Sequence, residues 1–221
     1  MDIERLRISA AAFGREPLLV SPDGHLINLA EGYIPLLANF TFEDKAAKGL
    51  RKRKAEDKLV PPVYFSALEL VRDHRILLLS GTSGSGKTSF AKHLASRLAT
   101  TVLFEPRPLV RNESGAVHDE HWEAGNVSAC YFAVDGPESL KTLVNNTLHK
   151  LMGSFQAEGN AAKSILLIIL DTIEKAGDEG PNILTDVLAF IKHPKNIKLL
   201  LLGETSGAKH WVLPSDERGR P

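Results

Sequence analysis

Eight residues constrain this chain more than any others: Gly81-Thr82-Ser83-Gly84-Ser85-Gly86-Lys87-Thr88. Glycines and small hydroxyl residues in this density disfavour helix and strand alike. Just ahead lies Arg75-Ile76-Leu77-Leu78-Leu79-Ser80, a short apolar run that reads as a strand buried on both faces. Just behind, Phe90, Ala91, Leu94, Ala95 and Leu98 recur at helical spacing and predict a helix with one apolar face. Strand, glycine-rich turn and helix, in that order, are the setting that the pattern G-x-x-x-x-G-K-[ST] requires, and that pattern makes a phosphate cradle.

Each residue type has a chemical reason. Gly81, Gly84 and Gly86 let the backbone curl so that successive N–H groups point at one centre. That centre lies at a helix N-terminus, whose partial positive charge favours a polyphosphate. Lys87 is long enough to reach β- and γ-phosphate oxygens, and the Thr88 hydroxyl is a ligand for Mg²⁺. The expected nucleotide contacts are therefore Gly81, Thr82, Ser83, Gly84, Ser85, Gly86, Lys87, Thr88 and the adjacent Ser89, with Lys87 also catalytic.

The remaining chain alternates strands and helices. Thr101 to Phe104 and Cys130 to Val134 read as strands, and Ser164 to Leu170 is the most apolar run of all. Asp135-Gly136-Pro137-Glu138 opens a helix with Leu140, Leu143, Val144, Leu148, Leu151, Met152 and Phe155 on one face. Gly180-Pro181 opens another, bearing Ile183, Leu184, Val187, Leu188 and Ile191, and Ile197 to Leu202 gives a further buried strand. The expected fold is α/β, a three-layer α/β/α sandwich around a mostly parallel sheet, with ligands at the carboxyl ends of its strands. Residues 1–60 look like a separate small extension: a hairpin across Ser21-Pro22-Asp23-Gly24, then a basic helix opened by Thr41 and Asp44. Pro61-Pro62 marks the boundary to a main domain over 61–221, in which Pro106 to Gly125 is a polar excursion.

Asp171 ends the run Ile165-Leu166-Leu167-Ile168-Ile169-Leu170, a strand followed by a carboxylate. Such an acid, held rigidly opposite Thr88, completes the ligand set for Mg²⁺ on a bound nucleotide, whereas a plain strand-ending turn would serve no metal. The four residues Asp171-Thr172-Ile173-Glu174 resemble the NACHT and related signal-transducing ATPases of the additional-strand class, AAA+ and STAND proteins among them. Arg75 to Leu78 and Tyr131 to Leu151 resemble further segments of those families within a likeness covering about residues 60–207, and Tyr33-Ile34-Pro35-Leu36 resembles their entry segment upstream of it. The resemblance implies ATP with Mg²⁺, Thr88 and Asp171 as metal ligands, and Glu174 as the base that orients or deprotonates the attacking water. It also implies a polar sensor after the strand ending at Leu202, where Thr205 is the candidate beside Glu204 and Ser206. The segment after Gly207 is too short and polar for a further helix–strand pair, so a domain short at its C-terminus, or completed by a partner, is expected.

Other classes are narrowed by what is missing. Glu at 174 does not fit the Asp-x-x-Gly of a GTPase, and neither an Asn-Lys-x-Asp guanine reader nor a transporter LSGGQ signature is present. A small-molecule or nucleoside kinase remains open, with Arg107 and Arg111 as its basic lid, as does a nucleotide-binding module without catalysis. In the ATPase reading a trans arginine, from a second copy or a partner, is expected because none is obvious in this chain. Lys+Arg and Asp+Glu are equal at 27 each, so no global field recruits nucleic acid or an anionic membrane. One cysteine excludes an internal disulfide framework, and no apolar stretch is long enough to span a bilayer. A cytoplasmic protein is expected, with Arg51-Lys52-Arg53-Lys54 as a nuclear address of low weight. His118, Asp119, Glu120, His121 and Cys130 lack a second ligand pair at zinc spacing, and Trp122 and Trp211 fit either contact surfaces or packing under loops.

Overall fold

The longest apolar runs become the interior of a parallel sheet. The computed structural model describes residues 3–38, 65–100, 108–111, 117–119, 127–157, 164–191, 196–208 and 211. The chain begins with α1 (Ile3–Ala12), a 3-10 turn (Phe13–Arg15), β1 (Pro17–Val20), β2 (Leu26–Asn28), α2 (Leu29–Gly32) and β3 (Leu37–Ala38). It continues through β4 (Phe65–Ser66), α3 (Ala67–Asp73), β5 (Ile76–Gly81), α4 (Lys87–Ala99), β6 (Pro108–Arg111), β7 (Val117–Asp119) and β8 (Val127–Ala133). Then come α5 (Pro137–Leu143), a π-helical turn (Val144–Leu148), α6 (His149–Ala157), β9 (Ile165–Asp171) and a 3-10 stretch (Ile173–Glu179). The last elements are α7 (Gly180–Ile183), α8 (Thr185–Ile191), β10 (Ile197–Glu204) and α9 (Thr205–Ala208).

β5, β10, β9 and β8 pair in that order, all parallel. Side chains alternate across the sheet, so each strand feeds both layers. Leu77, Leu79, Leu167, Ile169, Leu200 and Leu202 pack with Phe90, Leu94 and Leu98 of α4 and with Leu68 and Val71 of α3. Ile76, Leu166, Ile168, Leu170, Leu199 and Leu201 pack on the other side with Leu140, Leu148, Met152, Val187 and Ile191. Two buried faces explain why these strands read as unbroken apolar runs instead of alternating ones. Each fully buried leucine or isoleucine contributes about 1.5–3 kcal/mol, and Leu166 to Leu170 are all at 0% exposure, so this strand anchors both layers.

Register positions the functional edge. Glu204 of β10 lies beside Gly81 of β5, and Ala133 of β8 lies beside Asp171 of β9. The carboxyl ends of the strands therefore open on one side of the molecule, where an open α/β sheet takes its ligands.

Several local details differ from the sequence expectation. The amphipathic segment after Pro137 is interrupted by the π turn Val144–Leu148. Leu140, Val144 and Leu148 are spaced by four, which drifts around a 3.6-residue helix; a wider turn keeps all three against the sheet, where they are buried. The segment opened by Gly180-Pro181 is likewise two short helices, α7 and α8, with fully buried Leu184 at the joint. Within the polar excursion, β6 and β7 form a small antiparallel pair. β1 and β2 also pair antiparallel, across a turn in which Gly24 has φ 83° and Ser21 donates to the Asp23 carboxylate. The expected strand Thr101 to Phe104, the basic helix with Thr41, Asp44 and the run 51–54, and Arg107, Glu120, His121 and Trp122 lie outside the described residues. Trp211 is buried against Gly180, and among the described residues no helix is long and apolar enough to cross a membrane.

Candidate functional site

Two of the loop glycines are needed for conformation and one for space. Gly84 and Gly86 sit at φ 76° and 87°, in the left-handed region that a side chain resists. Gly81 ends β5 in ordinary geometry, but a Cβ there would come within 2.8 Å of Ser85 Oγ and 3.7 Å of Lys87 Nζ. Gly86 is the N-cap of α4, with no side-chain cap and no acidic residue in the first turn. The helix start thus keeps its partial positive charge uncompensated. Lys87 Nζ donates to Gly81 O at 3.0 Å, Thr82 O at 2.8 Å and Ser85 Oγ at 3.0 Å. All three ammonium protons are spent on the loop itself, so the lysine holds the cradle's shape until an anion competes for it.

Ser83 to Ser89 line a cleft whose far wall is Asp171, Thr172, Glu174, Gly203 and Glu204. Asp171 is only 2% exposed. Its Oδ1 accepts from Thr172 N–H and its Oδ2 from the Tyr131 hydroxyl, both at 2.8 Å. Burial first, and then the neighbouring Asp171 charge, push the Tyr131 hydroxyl pKa well up, so it remains a donor. Thr172 has φ 58°, which is costly for a β-branched residue. Its hydroxyl donates to Val134 O at 2.7 Å and secures the bend. Strain at this residue turns the chain sharply after Asp171, so that Glu174 comes back to the cleft.

Glu174 is fastened from three sides. Its Oε2 accepts from Glu204 N–H at 3.0 Å. A Cβ on Gly203 would lie 3.3 Å from that same oxygen, and a Cβ on Gly207 would lie 2.5 Å from Glu174 Cβ. Glycine at both positions is therefore a matter of close approach. The lining places one lysine among three carboxylates, Asp171, Glu174 and Glu204. Among the described residues no three His, Cys, Asp or Glu side chains cluster as a self-sufficient metal cage. A hydroxyl at Thr88 and a rigid, partly hydrogen-bonded carboxylate at Asp171 fit Mg²⁺ instead, which keeps several waters and takes one or two protein ligands plus phosphate oxygens.

Of the residues expected from sequence, Ser83 to Ser89, Asp171 and Glu174 are brought together at this cleft, while Gly81 and Thr82 supply carbonyl acceptors for Lys87. Thr205 is exposed at the start of α9 and is not part of the lining; the neighbouring Glu204 is. Arg111 falls in β6. Cys130 is buried in the core, where desolvation pushes its thiol up to about 12 and removes it as a nucleophile. Sequence reasoning missed Tyr131, Gly203 and Gly207, and it named Glu204 only as a neighbour of the preferred Thr205. Tyr131 alone left a signal, a hydroxyl-bearing ring within an apolar strand, but only the β8–β9 register shows which acid it reaches.

A parallel sheet whose glycine-loop strand β5 and acid-bearing strand β9 are separated by β10, with loop and acid on the same edge, defines a P-loop NTPase of the additional-strand type. The family model for novel STAND NTPase 3 matches residues 60–179, more than half of the sequence, and the chain belongs to that family. Among solved structures it is similar to C. elegans PCH-2, with 18% identity, TM-score 0.34, and coverage of 72% of this chain and 35% of that one. It is also similar to the Aeropyrum pernix ORC1 protein in complex with DNA, with 16% identity, TM-score 0.35, and coverage of 65% of this chain and 36% of that one. The chain thus spans little more than a third of either structure. No curated protein matches the chain.

Proposed function

We propose that this chain binds ATP with Mg²⁺, hydrolyses it slowly, and uses the two nucleotide states as a switch. The observation that supports this reading most is the presence of Asp171 and Glu174 on the wall of the cleft lined by Ser83 to Ser89. Backbone N–H groups of Thr82 to Lys87 donate to the phosphate oxygens, and Lys87 exchanges its loop acceptors for the β- and γ-phosphates. Thr88 and Asp171 would hold Mg²⁺, which would supply neutralisation of phosphate charge when bound. Glu174 orients a water and takes its proton as the water oxygen bonds to the γ-phosphorus. The bond from that phosphorus to the bridging oxygen breaks, leaving ADP and phosphate.

For this step Glu174 must give up, or share, its bond with Glu204 N–H. An arginine from a second copy or a protein partner is the expected source of further transition-state charge, worth about 10³–10⁵ in rate where such groups act. Thermal melts with ATP, ADP and GTP, each with and without Mg²⁺, followed by phosphate release, test the whole reading. A larger stabilisation by ATP with Mg²⁺ than by GTP, with slow acceptor-independent phosphate release, is expected. Indifference to every nucleotide would refute it, and release that waits on an added acceptor would identify a phosphotransferase.

A further inference from the structure

The Mg²⁺ ligand expected at Asp171 is not supported by its own strand alone. Its Oδ2 is held by a hydroxyl from the neighbouring strand, Tyr131 of β8, at 2.8 Å. The Tyr131 ring in turn meets the Phe13 ring edge-on, with centroids 5.1 Å apart and planes at 72°. Such pairs contribute about 0.5–1.5 kcal/mol beyond their buried area and set a ring's orientation.

Phe13 is itself fixed to the helix that follows the glycine loop. Lys92 of α4 places Nζ 5.3 Å from the Phe13 ring centroid and pairs with Glu16 at 2.7 Å. At Gly14 a Cβ would come within 2.6 Å of Ser96 Oγ, so the turn presses closely on α4 and a side chain there would have to displace the Ser96 hydroxyl. Ser96 Oγ also donates to Ala11 O at 3.3 Å. The segment Ala11 to Glu16 is thus bound to α4, and through Phe13 it reaches the acid-bearing side of the cleft.

We propose that Tyr131 is a positioning residue for the metal-binding carboxylate of Asp171, and that Phe13 of the N-terminal segment holds Tyr131 in place. The inference rests on the Mg-ATP reading above. Asp171 has two hydrogen-bond donors, one per oxygen, and together they stop the carboxylate from rotating about χ2. Without the hydroxyl, Oδ2 loses its fixed direction and the carboxylate meets the metal in more than one orientation. Groups that orient a metal ligand in this way typically change metal affinity by about 10–100-fold when removed. The N-terminal segment then belongs to the metal site's support, and any partner that draws Phe13 away from Tyr131 loosens that site without touching the glycine loop.

The test is a Mg²⁺ titration of the thermal stabilisation given by a non-hydrolysable ATP analogue, on the full chain. Tyr131→Phe keeps the ring and removes only the hydroxyl. Its half-maximal Mg²⁺ concentration should rise about 10–100-fold, while stabilisation by the analogue in EDTA stays at the wild-type value. Phe13→Leu, which keeps an apolar side chain, should raise the same midpoint by a smaller factor. A merely structural Tyr131 would lower the starting melting temperature and leave the midpoint where it was; that result overturns the proposal. A wild-type midpoint for Phe13→Leu removes the N-terminal segment from it. A wild-type chain with no Mg²⁺-dependent increment would instead refute the Mg-ATP reading, and this inference with it.

Discussion

On the proposed ATPase reading, replacing Gly207 by alanine is expected to slow hydrolysis about 10²-fold while leaving nucleotide binding intact. A methyl carbon at that position would sit 2.5 Å from Glu174 Cβ and 3.3 Å from its Cα. Carbon atoms in good contact are about 3.5–4.0 Å apart, so the two must separate by about 1 Å. One of the atoms is backbone, so a rotamer change does not relieve the clash. The 3-10 stretch bearing Glu174 must shift against α9, and the bond to Glu204 N–H goes with it. A displacement of about 1 Å at a group that orients a reactant costs about 10²-fold, or about 2.7 kcal/mol of barrier. The loop residues and Lys87 stand clear of the contact, so the melting increment with Mg-ATP should hold. Glycine within a helix is about 1 kcal/mol less favourable than alanine, and Gly207 lies in α9. If the contact with Glu174 did not matter, the alanine variant would be the more stable protein. Single-turnover phosphate release combined with melts decides the point. A variant that is more stable than wild type and hydrolyses ATP at the wild-type rate refutes the placement of Glu174 as the base.

Three further outcomes are expected. Lys87→Ala should abolish the ATP-dependent melting increment, with isothermal titration as the check; it also strips Gly81 O, Thr82 O and Ser85 Oγ of their shared donor, so the empty protein should melt lower too. Glu174→Gln should retain Mg-ATP and release phosphate at least about 10²-fold more slowly, measured as radiolabelled ATP kept on the protein after gel filtration. Lys198 donates to Val71 O, Arg72 O and His74 O at the end of α3, and burial lowers its pKa to about 8 from 10.5. Because the folded pKa is depressed, unfolding takes up a proton between those values, so stability should rise as pH increases from about 8 to about 10.5. Chemical denaturation across that window checks it, and Lys198→Met should flatten the slope.

The parts of the fold legible in the sequence are those where one residue type has one structural reason. Ile165 to Leu170 and Ile197 to Leu202 are apolar on both faces because helices cover both, and such runs have no other stable place in a chain like this. Gly84 and Gly86 were legible because a positive φ leaves almost no alternative residue. What could not be read was anything set by register or by the meeting of distant segments. Glu204 rather than Thr205 lines the cleft because β10 runs to the level of Gly81 before α9 begins, a one-residue matter that hydropathy does not resolve. Gly203 and Gly207 carried no signal of their own in the sequence, and only the position of Glu174 shows that they are spaces. The π turn at Val144–Leu148 was hidden because a spacing of four satisfies an ordinary helix over a short window.

Glu204 also alters the electrostatic reading of the site. The resemblance implies a polar sensor after the strand ending at Leu202, with Thr205 as the candidate beside Glu204 and Ser206; this chain places the Glu204 carboxylate on the cleft wall. With Asp171 and Glu174 it makes three acids against the single ammonium of Lys87 among the described lining residues. At an effective dielectric of about 20, like charges at about 4 Å repel by about 4 kcal/mol, so a triphosphate entering this wall unaided is opposed. On the proposed reading, the backbone N–H groups at the start of α4 and a divalent cation on Asp171 would offset that repulsion before Glu174 approaches the γ-phosphate. The same surplus of negative charge attracts a cationic side chain from outside the cleft. On the proposed reading, Glu204 is therefore where a partner's arginine would gain most on arrival. Glu204→Gln should tighten ATP binding in the isolated chain, because one repulsion is gone, yet weaken any stimulation of hydrolysis by that partner. Tighter binding together with undiminished stimulation would show that the arginine is drawn by the phosphates alone.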